Sequence, residues 1–310
     1  MAGRVMTVDG PVDAAELGVV LPHEHLFCNT LREYRSDGLL DDRALMEREV
    51  AAFHDAGGGT IVELTGSTLG RRPEDLRAVS RATGVHVVMG CGLYRDPYLA
   101  DTGIDRLSVA ALAEAMVAEI VDGVGDTGIR PGVIGEVGTD AAWVSAREER
   151  SLRAAARAQV ATGLTLSLHA ARWPVGRLIL PILEQEGVAA TRVIVGHLDT
   201  VRDSPYHVEL ARQGCYVEFD GFSTTHEYDL ERMVRDIVAV ADAGFLDRLL
   251  ISHDLFRQSH LTAYGGVGFA FILEHVTGRL RAAGFGDDEL RRVLVDNPRA
   301  ALTGEAAGGA

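Results

Sequence analysis

Eight short apolar runs, rich in β-branched residues, alternate along this chain with longer stretches of helical period. That rhythm restricts the fold more than any single motif, because repeated βα units pack as a parallel sheet with helices outside it. The runs are Gly18 to His25, Thr60 to Leu64, His86 to Cys91, Val133 to Val137, Leu164 to His169, Arg192 to His197, Cys215 to Asp220 and Arg248 to His253. Helical patterns lie between them. One runs from Asp42 to Ala56, capped by Asp41 or Asp42 and stopped by Gly57-Gly58-Gly59; another runs from Ser145 to Thr162 and stops at Gly163. Eight such units close most simply into a (β/α)8 TIM barrel of the α/β class. A doubly wound, Rossmann-like sheet is disfavoured, since no GxGxxG follows the first strand and the glycine triplet precedes a strand rather than opening a helix. Barrels of about this length are commonly one domain, so residues 1–303 are expected to form it. The small-residue tail 304–310 is expected to fray.

Residues able to ligate metals stand at the ends of these runs. In Leu21-Pro22-His23-Glu24-His25 a strand places His23 and His25 on one face and aims both imidazoles at one point. His169, His197 and Asp254 follow the fifth, sixth and eighth runs, and Glu136 lies in Gly135-Glu136-Val137-Gly138 at the end of the fourth. Active sites of parallel barrels sit at the C-terminal ends of the strands, so fold and ligands point at the same mouth. Glu24, between the two histidines, faces the other way and reads as a packing residue that orients its neighbours; His253 reads as structural for the same reason.

Composition removes several classes of function. A formal charge of −15 from 45 acidic and 30 basic residues opposes phosphate backbones and anionic lipid, so neither nucleic acid nor a membrane surface is an expected partner. No stretch has signal-peptide character or approaches the roughly 18 consecutive apolar residues of a membrane span, and a cytoplasmic location is expected. Cys28, Cys91 and Cys215 are far apart, odd in number and without a CxxC pair, which fits buried reduced thiols. All 30 basic residues are arginine. That excludes a Schiff-base lysine, a Walker-type phosphate lysine and a carboxylated lysine between two metals.

Taken together, His23-Glu24-His25, Gly135-Glu136-Val137-Gly138-Thr139, Ser167-Leu168-His169, Val195-Gly196-His197-Leu198-Asp199 and Ser252-His253-Asp254 resemble the phosphotriesterase family of the amidohydrolase superfamily. The resemblance extends to Asp296-Asn297-Pro298-Arg299. It implies an amidohydrolase-type barrel with two divalent ions: His23, His25 and Asp254 on the more buried one, His169 and His197 on the other. Many members bridge the ions with a carboxylated lysine; in a glutamate-bridged branch a glutamate does so, and Glu136 matches it. Zinc is the default metal, with manganese, cobalt or iron also suited to nitrogen and oxygen ligands. The implied reaction is attack by a metal-bridging hydroxide on a carboxylic ester, lactone or amide, with Asp254 passing the proton to the leaving group. Hydrolysis of phosphotriesters is the alternative within the class. Outside it stand a mononuclear site, or a non-hydrolytic binder, lyase or isomerase on the same fold. Family members commonly form dimers, so a homodimer is expected.

Four residues are expected near a small-molecule substrate. Tyr94, in the loop after the third strand, is a candidate oxyanion or leaving-group contact, or else packs on Phe222 or Trp173. Arg257 and His260 follow the eighth strand, where an arginine would suit an anionic group. Phe222 follows Asp220, where lactonases of the family tend to carry an arginine.

Overall fold

The computed structural model describes residues 3–305 of the chain. The expected fraying tail lies, from residue 306 onward, outside the described residues. Eight parallel strands form one sheet: β1 (Val19–Glu24), β2 (Gly58–Glu63), β3 (His86–Cys91), β4 (Val133–Gly138), β5 (Leu166–His169), β6 (Val193–Val195), β7 (Tyr216–Phe219) and β8 (Leu249–Ile251). Each pairs with its sequence neighbour from β1 through to β8, and helices such as Arg43–Asp55, Ala146–Thr162 and Glu227–Val240 run between successive strands. This is a TIM barrel of the amidohydrolase type.

The local signals act where they stand. Asp42 caps the helix Arg43–Asp55 by accepting the Leu45 N–H at 3.0 Å. Ser145 and Glu148 form a reciprocal capping box at the start of Ala146–Thr162, and Gly163 ends that helix at a φ of 74°. Only Gly57 of the glycine triplet serves as a stop; Gly58 and Gly59 belong to β2. A Cβ on Gly59 would meet the Leu17 carbonyl, so the strand needs glycine to lie against β1.

Among the described residues β8 and β1 form no ladder, and one backbone bond just beyond β8 together with side chains completes the barrel. The Asp254 N–H donates to the His23 carbonyl at 3.2 Å, and the His23 N–H donates to Ser252 Oγ at 3.0 Å. Glu24, fully buried, accepts from Ser252 Oγ at 2.8 Å, from His253 N at 2.9 Å and Nδ1 at 2.8 Å, and from Leu255 N at 3.0 Å. His253 Nε2 in turn accepts the Ile272 N–H at 3.1 Å. Both residues are therefore structural, as their strand parity suggested.

Alternate strand residues separate two apolar layers. Leu21, Ile61, Val87, Ile134, Leu168, Val195, Val217 and Ile251 join the cluster under the helices. Val20, Val62, Val88 and Val133 pack inside the barrel with Val5 and Leu302, and Ile194, Tyr216 and Leu250 pack with Ala301. A hairpin, Arg4–Thr7 with Gly10–Asp13, and the helix Asn297–Thr303 thus close the floor. Sequence periodicity gave no warning of the hairpin. With the floor sealed by apolar side chains, the polar residues of the interior collect at the opposite end.

Candidate metal centre

Two strand irregularities aim the ligands. In β1, Leu21 pairs with Ile61 but Glu24 pairs with Glu63, so β1 carries one residue more than β2 over that interval. The bulge reverses parity. Without it Pro22 and Glu24 would share the inward face of Val20; with it His23 and His25 turn inward and Glu24 turns toward the seam. β4 repeats the device between Ile134 and Val137, bringing Glu136 inward. Gly135 has a φ of 148°, and a Cβ there would lie 2.7 Å from the Ser167 carbonyl oxygen. A Cβ on Gly138 would run into the His169 carbonyl. Glycine at both positions lets β4 approach β5 closely enough for the short carboxylate to reach the site.

His197 and Asp254 lie just beyond β6 and β8 at positive φ, 58° and 54° respectively. Left-handed backbone at non-glycine residues is costly and gathers at functional sites.

All six expected ligands come together at the mouth. Glu136 Oε1 lies 2.6 Å from His169 Nδ1 and 2.6 Å from His197 Nε2. On its other side it faces His23 Nε2 at 3.8 Å. Asp254 Oδ1 stands 3.8 Å from His23 Nε2 and 3.3 Å from His25 Nε2. One carboxylate thus stands between two histidine pairs. Groups able to hold a metal ion include His23, His25 and Glu136, and Glu136, His169 and His197.

The outer nitrogens of the imidazoles are held by residues that sequence reasoning passed over. Asp220 Oδ2 accepts the His197 N–H at 2.9 Å, and Oδ1 pairs with His197 Nδ1 at 2.9 Å. Asp220 Oδ2 also meets His23 Nδ1 at 3.0 Å, beside Glu218 Oε2 at 3.1 Å. Thr65 Oγ1 lies 2.9 Å from His25 Nδ1. A signal for the two acids was present: Glu218 and Asp220 are two apart in an otherwise apolar strand, the same spacing that marked His23 and His25.

These residues fit divalent cations. His23 Nε2 is buried without a hydrogen-bond partner among the described residues, although its Nδ1 is doubly held, so the free nitrogen is directed at the space between Glu136 and Asp254. Its neighbours set a strongly negative field. Burial would push His23, His25 and His197 down, yet the surrounding carboxylates, Asp220 foremost for His23 and His197 and Asp254 for His25, hold all three above the usual imidazole value. Glu136 is buried too, and His169 and His197 hold it well below the ordinary carboxylate range. Buried ionised carboxylates facing neutralisable imidazoles, with one orphaned nitrogen, are a donor set for a cation.

A cavity of about 190 Å3 opens onto this cluster, lined by His25, Glu136, His169, His197 and Asp254 and walled by Tyr34, Leu69, Tyr98 and Phe256. Tyr94 lines it as well, with its hydroxyl 3.3 Å from His169 Nδ1. Neither Trp173 nor Phe222 supports its ring; it packs on Cys28 and Leu69 and against Tyr98 at 5.3 Å between centroids. Burial pushes the Tyr94 hydroxyl well above its usual value, so it remains a donor.

The other three expected substrate contacts do not line the cavity. Phe222 is wholly buried and belongs to the core under the helices, its N–H directed at the Ser252 carbonyl. Arg257 donates to His260 Nε2 from Nε at 3.0 Å and Nη2 at 2.6 Å, and its guanidinium lies over Tyr34 and Phe256. Those two rings stand between the pair and the cavity, so Arg257 and His260 brace its wall. The arginines that do line it are Arg95 and Arg172. Cys28, Cys91 and Cys215 are free and buried, as expected. No helix among the described residues is long and apolar enough to cross a membrane.

An eight-stranded parallel barrel with histidines and carboxylates gathered at its mouth defines a hydrolase of the amidohydrolase superfamily. Residues 3–302 match the phosphotriesterase family, and the chain belongs to that family. It is 31% identical to an N-acetyltaurine hydrolase of Tetraodon nigroviridis, over 98% of this chain and 99% of that one. The phosphotriesterase homology protein of Escherichia coli is 33% identical over 91% of this chain and 96% of its own. Its crystal structure, complexed with phosphate in the active site, superposes with a TM-score of 0.88 over 93% of this chain and 99% of that one. A lactonase from Listeria monocytogenes reaches 0.90 at 27% identity, covering 96% and 98% of the two chains.

Proposed function

We propose that this chain is a binuclear metal-dependent hydrolase of a small carboxylic amide, lactone or ester, with amides foremost. The observation that carries the reading is the position of Glu136, whose Oε1 touches His169 and His197 while facing His23 across from Asp254. His23, His25 and Asp254 would hold one ion, His169 and His197 the other, and Glu136 both, with zinc as the resident metal. Bound there, divalent ions supply Lewis acidity and a nucleophile from water at neutral pH.

The protein's own groups do the rest. Asp254, ionised and at the cavity edge, accepts the proton of the attacking water and delivers it to the leaving nitrogen or oxygen. His25, with Nε2 3.3 Å from Asp254 Oδ1, orients that carboxylate. Tyr94 donates its hydroxyl hydrogen to oxygen of the substrate as negative charge develops. The N-acetyltaurine hydrolases among its relatives support an amide, and the Listeria lactonase supports the cyclic ester as the near alternative. The cavity volume lies below the ~300–1,000 Å3 of pockets for drug-sized ligands, which favours a short acyl group and a small partner molecule.

The test is a panel of short N-acyl amides, lactones, esters and a phosphotriester, followed by NMR with zinc-loaded protein. Turnover of an amide or lactone that Asp254→Asn abolishes is the expected result. Turnover of the phosphotriester alone would contradict the reading.

A further inference from the structure

We infer that residues 30–38 form a lid over the metal centre, and that Glu33 is a positioning residue which, through Arg95, latches the lid and sets the ring of Tyr94. The lid stands on geometry alone; the part given to Tyr94 rests on the hydrolase reading of the site.

The segment after β1 leaves the barrel and returns to its own start. Cys28 and Asn29 pair antiparallel with Leu40 and Leu39. Beyond that pair the Gly38 carbonyl accepts from Thr30 N at 2.6 Å and from Thr30 Oγ1 at 3.1 Å. A Cβ on Gly38 would lie 2.6 Å from the Thr30 carbonyl oxygen, so glycine lets the two ends touch. A compact surface loop closed at its neck in this way often carries function.

Its hold on the barrel is polar and aromatic. Each of Leu31 to Asp37 is exposed or half-buried. On one side Arg95 Nη2 donates to both oxygens of Glu33, at 2.7 and 2.6 Å. On the other, Ser259 donates to Asp37 from N and from Oγ, each at 2.8 Å. Between these latches the Tyr34 ring lies 5.0 Å from that of Phe256, and Thr30 and Tyr34 line the cavity. The loop therefore spans one wall of the cavity, from the segment after β3 to the segment after β8. Elements with few buried apolar contacts open at low free energy, and release of the two latches uncovers the cavity while the barrel stays folded.

Arg95 carries the state of the lid to the reacting end. Its side chain is buried, with the guanidinium 4.9 Å from the centre of the Tyr94 ring and 5.5 Å from that of Tyr98. Glu33 holds Nη2 and Asp140 holds Nη1. With the lid latched, both ends of the fork are fixed, and the plane that backs Tyr94 has one orientation. With Glu33 withdrawn, Asp140 alone holds the fork, and the Tyr94 hydroxyl, 3.3 Å from His169 Nδ1, loses its backing. Closure thus encloses the site and completes it together.

Cys28 reports on the lid, since it is buried at the foot of the loop, lines the cavity and packs with Tyr94. Cys91 and Cys215 lie in the core under the helices and report on unfolding. Zinc-loaded full-length protein is treated with iodoacetamide, and the rate at each cysteine is read by mass spectrometry for the natural chain, Glu33→Ala and Asp37→Ala. Turnover of N-ethylacetamide and δ-valerolactone by the same proteins is read by NMR. Cys28 should react about tenfold faster or more in both variants, with Cys91 and Cys215 unchanged. In Glu33→Ala kcat should fall about tenfold with little change in KM. In Asp37→Ala it should stay near that of the natural chain, because the closed form still keeps Glu33 on Arg95. Equal labelling of Cys28 in all three proteins would overturn the lid, and faster labelling with undiminished kcat in Glu33→Ala would overturn the positioning role. A variant that also exposes Cys91 and Cys215 has unfolded; Asp37→Ala then decides the lid, and Glu33→Gln, which keeps the size of the side chain, decides the role of Tyr94. The expected labelling without turnover of either compound by the natural chain keeps the lid and sinks the hydrolytic reading.

Discussion

Asp220 grips His197 at two points: one carboxylate oxygen accepts the backbone N–H at 2.9 Å and the other holds ring Nδ1 at 2.9 Å. The same carboxylate reaches His23 Nδ1 at 3.0 Å, so one buried acid orients an imidazole from each half of the candidate centre. Such partners of ligating histidines fix the ring and raise its basicity. Asp220→Asn keeps the size and removes the charge, and metal affinity should fall by about 10–100-fold. Titration against a competing chelator measures it.

The seam between β8 and β1 depends on Glu24, which accepts four hydrogen bonds from Ser252, His253 and Leu255. In Glu24→Gln an amide nitrogen must face at least one of those donors, leaving a buried N–H or O–H unpaired at a cost of roughly 1–3 kcal/mol. Asp254 follows His253 directly, so the strand end that carries it should loosen. Thermal unfolding should show a lower Tm, and chelator competition weaker metal retention. An unchanged Tm would mean that the barrel closes without this clasp.

How far these features could be read in advance follows from where each is encoded. The strands, and the gathering of His23, His25, Glu136, His169, His197 and Asp254 at one mouth, were legible because apolar runs carry a period and these candidate ligands sit at their ends. The two bulges were not legible: a parity reversal in β1 or β4 depends on pairing with the next strand, which no local pattern records. Glu218 and Asp220 carried a readable spacing that was overlooked. Phe222, Arg257 and His260 were misplaced because loop side chains have no period to give their direction; their burial or mutual pairing is decided by tertiary contacts.

Tyr94 offers a protonated hydroxyl at the cavity wall, 3.3 Å from His169 Nδ1. Tyr94→Phe retains the ring packed on Cys28 and Leu69 and removes only the donor. If the hydroxyl stabilises charge developing on the substrate, kcat should fall by about 100–1,000-fold with little change in KM. Steady-state kinetics separates this from a packing role, which would leave kcat near that of the natural chain.

His260 is held down to about 4 by burial first and by the Arg257 charge second. An unfolded chain carries histidine near ~6.5. Between those two values the unfolded state binds a proton that the folded state does not, so the folded state loses stability as pH falls through that window and gains none above it. The slope for one group is at most about 1.4 kcal/mol per pH unit. His260→Gln keeps an acceptor for Arg257 without titrating, and its denaturation midpoint should decline less between pH 6.5 and 4. A matching decline in both proteins would place the acid sensitivity elsewhere.

Metal content per chain bears most directly on the central claim, that Glu136 joins two histidine pairs into one binuclear centre. Protein purified without chelator or affinity-metal resin should carry about two equivalents of zinc or another divalent ion by elemental analysis, and Glu136→Gln should retain one at most. Two equivalents persisting in Glu136→Gln would contradict the bridge. No metal in the natural chain, with none gained on incubation with zinc or manganese, would contradict the centre itself.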